Sequence, residues 1–185
     1  MNRFFPDSEF YCFEPIGATF VRLKNNLATR NFHLIQKALG DKNESITIKI
    51  NDDNRADNNS LLPKNQPFES DKMETLEVVT LDFFLEKNRI SQVDFLKIDT
   101  EGFDLFVLKG ARESLESGKI NFIYVECGLD PSNEYHVHLS EFVRYLSEFN
   151  YSLIGIYQTD LRKVFNKMHF SNALFCHQSV SHLVN

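Results

Sequence analysis

Tryptophan is absent from this 185-residue chain, and cysteine (3), proline (5) and glycine (7) are scarce. So few cysteines exclude a disulfide-stapled secreted scaffold. Cys12, Cys127 and Cys176 lie far apart, each in an apolar run, and no clustered Cys/His spacing for zinc is present. Buried free thiols in a reducing compartment are expected, with no metal site. The glycines are scattered and never form Gly-x-Gly, so the fingerprint of a nucleotide-dependent oxidoreductase is missing. A basic surplus is missing too. The formal net charge is -6, which leaves nothing to neutralise a nucleic-acid backbone. No apolar run approaches a membrane span, and Met1-Asn2-Arg3-Phe4-Phe5-Pro6-Asp7 lacks the apolar core of a secretory signal. The expectation is a cytoplasmic protein with neither nucleic-acid nor membrane partners.

What remains is ordinary for a globular protein: 42% hydrophobic and 25% charged residues, with 18 Phe carrying most of the aromatic content. The length suits one domain, residues 1–185, able to bury a core without disulfides or metal. Glu9 to Phe13 reads as a short strand stopped by Pro15, which cannot donate into a central ladder. Ile16, Phe20, Leu23 and Leu27 recur at helical spacing. Phe32 to Ile35 reads as a strand, and Ile46, Ile48 and Ile50 alternate with polar residues as in a half-exposed one. Residues 51–75 form a long polar loop within the domain. After a strand at Leu76 to Val79, Thr80 can cap a short helix of Leu81, Phe84 and Leu85, with Asp82 in its first turn.

Val93-Asp94-Phe95-Leu96-Lys97-Ile98 is the central feature: an apolar run that ends in Asp99-Thr100-Glu101-Gly102. A helical stripe follows at Leu105, Leu108, Ala111 and Leu115, then a second apolar run from Ile120 to Val125, ending in Glu126. Leu139, Phe142, Val143, Leu146 and Phe149 give the clearest amphipathic helix. Leu153 to Tyr157 and Ala173 to Cys176 read as a closing pair of strands, a candidate antiparallel edge. Strands alternate with helices, and continuous apolar strands imply burial on both faces. The expected architecture is a three-layer α/β sandwich around a mostly parallel sheet.

Glu14, Asp99 and Glu126 each stand at the C-terminal end of an expected strand, and Glu101 follows Asp99 by two. Parallel strands deliver such positions to one edge, where open α/β sheets bind ligands. A carboxylate there can accept hydrogen bonds from a ribose diol or take a proton from a hydroxyl. A lone strand-end acid more often caps the next helix or faces water. Three acids on one edge favour a site.

Phe13-Glu14-Pro15, Ala38-Leu39-Gly40-Asp41, Val79-Thr80-Leu81-Asp82, Asp94-Phe95-Leu96-Lys97-Ile98-Asp99-Thr100-Glu101-Gly102, Val107-Leu108-Lys109-Gly110-Ala111 and Val125-Glu126 occur in this order. Together they resemble the FkbM-type S-adenosylmethionine-dependent methyltransferases, from about Phe4 to about Cys176. The resemblance implies a Rossmann-like class I methyltransferase fold and S-adenosylmethionine as cofactor. It implies that Glu14 holds the ribose hydroxyls, that Ala38 and Leu39 lie near the adenine, and that Asp99 sits near the reacting methyl. Asp99 or Glu101 is then the candidate group that orients or deprotonates an acceptor hydroxyl. The expected acceptor is a sugar, polyketide or related small molecule. Glu126, with His136 and His138 in the loop that follows, forms the candidate acceptor wall; Glu134 stands beside them. Members of the family normally open with a strand, a glycine-rich loop and a full first helix. Here the first strand and most of that helix are absent, and the missing strand would lie between those at Phe10 to Phe13 and Val93 to Ile98. Exposed sheet edges, and association of copies through them, are therefore expected. A non-catalytic binding or interaction module is the alternative function.

Overall fold

The computed structural model describes residues 7–27, 32–50, 72–133, 136–157 and 170–183. Strand β1 (Phe10–Phe13) ends at Glu14-Pro15 and runs parallel to β2 (Phe32–Ile35). Between them lies helix α1 (Gly17–Asn26). Strand β3 is only Ala38–Leu39; it runs parallel to β5 (Met73–Val79), which pairs antiparallel with β4 (Glu44–Lys49). Strand β5 begins at Met73, so the polar loop expected over 51–75 is shorter at that end. Thr75 and Glu74 pair with Thr47 and Ile48, and a half-exposed hairpin accepts polar residues there. Residues 51–71 of that loop lie outside the described residues.

Helix α2 (Leu81–Lys87) starts as its sequence predicts, with the Thr80 hydroxyl accepting the Phe83 N–H at 3.2 Å. Strand β6 (Val93–Ile98) follows. The helical stripe after it is broken into α3 (Asp104–Lys109) and α4 (Arg112–Glu116). Two contacts explain the break. The Gly110 carbonyl accepts the Asp82 N–H at 3.0 Å. The Gly110 backbone also lies so close to Gly40 that a Cβ on Gly110 would stand 1.9 Å from the Gly40 carbonyl oxygen. Strand β7 (Ile120–Gly128), helix α5 (Leu139–Ser147), and strands β8 (Tyr151–Tyr157) and β9 (Phe170–His177) complete the order, with a 3-10 turn at Gln178–Leu183.

The largest sheet has the order β6-β7-β9-β8. Strands β6 and β7 are parallel; β7–β9 and β8–β9 are antiparallel, so the closing pair is the antiparallel edge its sequence predicts. The expectation of a mostly parallel sheet is corrected. Across the described sheets there are three parallel and three antiparallel pairings, so the α/β fold is built on mixed sheets. Strands β1 and β6 are not paired with each other, and each has one strand neighbour among the described residues.

One core joins the helices to the large sheet. Leu81 and Leu85 of α2, Val107 and Leu108 of α3, Leu115 of α4, and Phe142 and Leu146 of α5 pack on Ile123, Val125, Cys127, Ala173 and Phe175. These strand positions share one face, since successive side chains alternate. Among the described residues the other face is not buried as expected. Phe95 is 49% exposed, and its ring meets Tyr124, which meets Tyr157, in a tilted aromatic row. Among the described residues, α2–α5 therefore form a single layer on the large sheet. Phe84 of α2 also makes edge contacts with Tyr11 and Phe13, which sets β1 beside the same helix layer. All three cysteines are free: Cys127 and Cys176 are buried and Cys12 is half-buried. No helix among the described residues is long and apolar enough to cross a membrane.

Candidate functional site

Strand register brings the central acids together. The pairs Lys97↔Tyr124 and Ile98↔Val125 carry on one step to set Asp99 beside Glu126. Glu126 lies inside β7 rather than at its end, because β7 continues to Gly128 in its ladder with β9. Asp99, Glu101 and Glu126 each offer a carboxylate oxygen within 4.8 Å of the others, a spacing at which one bound cation can be shared. The Lys97 ammonium pairs with Asp99 at the exposed side of this group.

The turn that presents Glu101 is unusual. Glu101 has φ 54° and Gly102 φ 97°, a left-handed pair that costs a non-glycine residue about 1–2 kcal/mol. The buried Asp104 carboxylate offsets this: Oδ1 accepts the Thr100 N–H and Oδ2 the Gly102 N–H, both at 3.1 Å. Hydrogen bonds to a charged acceptor contribute about 1.5–3 kcal/mol each. Burial pushes the Asp104 carboxyl above the usual aspartate range, and the backbone N–H bonds draw it partly back. Asp104 carries no chemistry-bearing pattern of its own in the sequence. The one signal is an acid two residues past the Glu-Gly turn.

Glu126 is held by His136. Their atoms Oε2 and Nε2 are 3.3 Å apart, and both side chains are largely buried, 12% and 7% exposed. The far ring nitrogen, Nδ1, meets the Asn133 side-chain amide, the His136 N–H bonds Asn133 Oδ1, and the ring lies on Phe170. Asn133 and Phe170 went unread in the sequence, because loop geometry and the return of β9 bring them here. His138 does something else. It is the N-cap of α5: Nδ1 accepts the Ser140 N–H at 3.2 Å and Nε2 lies 3.2 Å from the Leu129 carbonyl. One ring nitrogen therefore serves helix entry and the other meets the loop after β7, so the structure places His138 in a capping role at the start of α5. Glu134 lies outside the described residues.

Glu14 belongs to a second group. Its Oε1 accepts the Ile16 N–H at 2.8 Å, which fixes the carboxylate at the end of β1 where α1 begins. Glu74 of β5 accepts the neighbouring Gly17 N–H at 2.7 Å. Burial pushes the Glu14 carboxyl up; the Ile16 N–H and Arg22 oppose this, and Glu74 adds to it. Glu74 fell in the stretch read as polar loop and carried no signal. Ala38 is buried in β3 and Leu39 is partly buried against the main core.

Comparison with known proteins gives the following. A family model described as the methyltransferase FkbM domain matches residues 4–153. The hexuronic acid methyltransferase AglP of Haloferax volcanii is 28% identical over 125 residues, 66% of this chain and 49% of that protein. The crystal structure of methyltransferase FkbM from Methylobacillus flagellatus superposes with a TM-score of 0.52 at 16% identity, over 92% of this chain and 36% of that one. This last likeness is one of fold. The chain spans about half the length of the curated relative it matches and about a third of the solved one.

Proposed function

The chain belongs to the FkbM methyltransferase family, and on that premise we propose that it is an S-adenosylmethionine-dependent O-methyltransferase. In this reading the fold is of the Rossmann-like class I type, and the acceptor is a hydroxyl on a sugar, polyketide or related small molecule. A sugar acceptor has added support in the name of the AglP relative. The observation that carries the reading is the convergence of Asp99, Glu101 and Glu126 where β6 and β7 deliver them side by side. The bound cofactor would supply an electrophilic sulfonium methyl. Glu14 fits its ribose diol, since it is a strand-end carboxylate already fixed by the Ile16 N–H. Leu39, less buried than Ala38, is the better placed of the two to meet the adenine. Asp99 or Glu101 orients the acceptor hydroxyl and takes its proton. Alignment then supplies much of the rate, as expected for a displacement between two bound groups.

The test is calorimetric titration of the purified chain with S-adenosylmethionine and S-adenosylhomocysteine, repeated with Glu14→Ala. Saturable binding that weakens on the order of 10-fold or more in the variant supports the reading, because a charge-assisted hydrogen bond contributes about 1.5–3 kcal/mol. Absence of binding by folded protein refutes it. A second reading, a binding or interaction module without catalysis, is favoured by the exposed Phe95 and Tyr157. Binding without turnover across a panel of sugar and polyketide alcohols is its signature. We also propose that copies associate through β6, whose second edge is unpaired among the described residues. Light scattering that stays monomeric at high concentration refutes that association.

A further inference from the structure

We propose that Asp104 is a positioning residue of the acidic site, fixing the aim of Glu101 by anchoring the peptide groups on either side of it. The inference rests on the methyltransferase reading above and extends it to a residue that touches none of the reacting groups.

The geometry is specific. The two N–H groups that Asp104 accepts belong to Thr100 and Gly102, so they bracket Glu101. Each goes to a different carboxylate oxygen, so an ionised carboxylate serves both at once. An asparagine has one acceptor oxygen and turns an NH2 toward the other N–H. Glu101 sits in the left-handed region, which glutamate as a residue type rarely adopts. Loss of the Asp104 bonds removes the anchors on both sides of Glu101, and the turn relaxes toward ordinary backbone angles. The Glu101 carboxylate then leaves the group it forms with Asp99 and Glu126.

Burial makes the arrangement more than a routine helix cap. Asp104 is 2% exposed, and a charge so enclosed is retained only where its hydrogen bonds offset the lost hydration. Asp104 also stands in the first turn of α3, but that helix has just six residues, and beyond Asp104's own N–H the carboxylate's backbone partners lie outside it, at Thr100 and Gly102. The bonds run backward into the turn that joins β6 to α3. The carboxylate thus ties the helix to the site loop.

The experiment uses the full chain and compares wild type with Asp104→Asn, with Ser117→Ala as a control on the far end of α4. Two readouts are taken. The first is hydrogen exchange of the peptide covering 99–103, which needs no activity. The second is methyl transfer, with kcat and acceptor KM measured separately. The expected result for Asp104→Asn is at least 10-fold faster exchange in that peptide, with β7 and α5 peptides unchanged. With it comes a fall in kcat on the order of 100-fold, the cost of misplacing a catalytic group by about 1 Å. Binding of S-adenosylhomocysteine stays within about twofold of wild type, because Glu14 belongs to the other acid group. Unchanged exchange over 99–103 overturns the proposal. So does faster exchange with kcat intact, and so does a loss of activity that only follows the folded fraction. If wild type neither binds S-adenosylhomocysteine nor transfers methyl, the functional reading fails instead. Exchange over 99–103, together with carbodiimide labelling of Glu101 in the two proteins, still decides whether Asp104 sets its aim: unchanged labelling overturns the role and altered labelling upholds it.

Discussion

Asp82 offers the sharpest test of how this fold is held. It sits in the first turn of α2, yet its carboxylate reaches across to α4. Oδ2 accepts the Glu113 N–H and Oδ1 the Ser114 N–H, both at 2.9 Å, and Oδ1 also accepts the Ser114 hydroxyl at 2.5 Å. Asp82→Ala removes all three. Glu113 is exposed, so water replaces its partner at little cost. Ser114 is buried, and its N–H and hydroxyl lose their acceptor where water does not reach easily. A buried group left unsatisfied costs about 1–3 kcal/mol. Loss of a helix cap alone costs about 0.5–2 kcal/mol. With some overlap between these terms, the expected total is about 2–4 kcal/mol. Urea unfolding followed by circular dichroism reads this directly. With a slope of about 2 kcal/mol/M, the midpoint falls by about 1–2 M. Asp82→Asn keeps one acceptor oxygen and should fall by roughly half as much. A double-mutant cycle with Ser114→Ala isolates the contact, and a coupling of at least about 0.5 kcal/mol is expected between directly bonded groups. A midpoint shift below about 0.25 M, or strict additivity in the cycle, refutes the assignment of Asp82 as the tether between α2 and α4.

Gly110→Ala should destabilise the protein by about 1–3 kcal/mol or more, because its Cβ would meet the Gly40 backbone at 1.9 Å and neither chain segment is a flexible side chain; an unchanged urea midpoint refutes the contact. Asp104 has a folded-state pKa raised by burial, so the folded protein holds its proton more tightly than the unfolded chain. The stability this contributes is full below the ordinary aspartate value and is lost as pH rises through the raised one. In Asp104→Asn that part of the decline with rising pH should vanish, and a stability–pH curve parallel to wild type overturns the linkage. Burial pushes the Cys127 thiol up to about 12, so native protein at pH 8 should resist alkylation there; rapid labelling of Cys127 by mass spectrometry refutes its enclosure.

What the sequence makes legible is what short-range pattern controls. Thr80 caps α2 because its hydroxyl needs only the N–H three residues on. The end of β1 at Glu14-Pro15 and the start of the site at Asp99 follow from apolar runs and a proline. Patterns that depend on the chain returning to itself are not legible. Asp82 reads as an acid serving its own helix, while its partners lie 31 and 32 residues away. Glu74 reads as loop, though it closes over the start of α1 from 57 residues downstream. His138 reads as a site residue because a histidine near acids invites that reading, while in the structure Nδ1 caps α5 and Nε2 meets the Leu129 carbonyl nine residues back. Gly40 and Gly110 count in the sequence only as parts of a family pattern; in the structure they are the place where two backbones touch.

The same distinction explains together the convergence of the acids and the face left open among the described residues. An apolar run states that a strand exists, but parity states which face each side chain takes. In β6 and β7, one parity carries Ile98, Ile123 and Val125 into the helix-covered core. The other carries Phe95, Lys97 and Tyr124 onto the face left open among the described residues. Asp99 and Glu126 are the next members of that second row, two residues beyond Lys97 and Tyr124 on the same side. The acids converge because they continue the open face, not the core. A reading that buries both faces arrives at the same edge by a different route. It also follows that Lys97 and Tyr124 are the side chains a ligand on that face meets after the carboxylates. Lys97→Met is accordingly expected to alter acceptor KM more than protein stability, since an exposed ion pair contributes only about 0–1 kcal/mol. A Lys97→Met variant with unchanged KM and a urea midpoint lowered by more than about 0.5 M would show that the open face serves the fold and not a ligand.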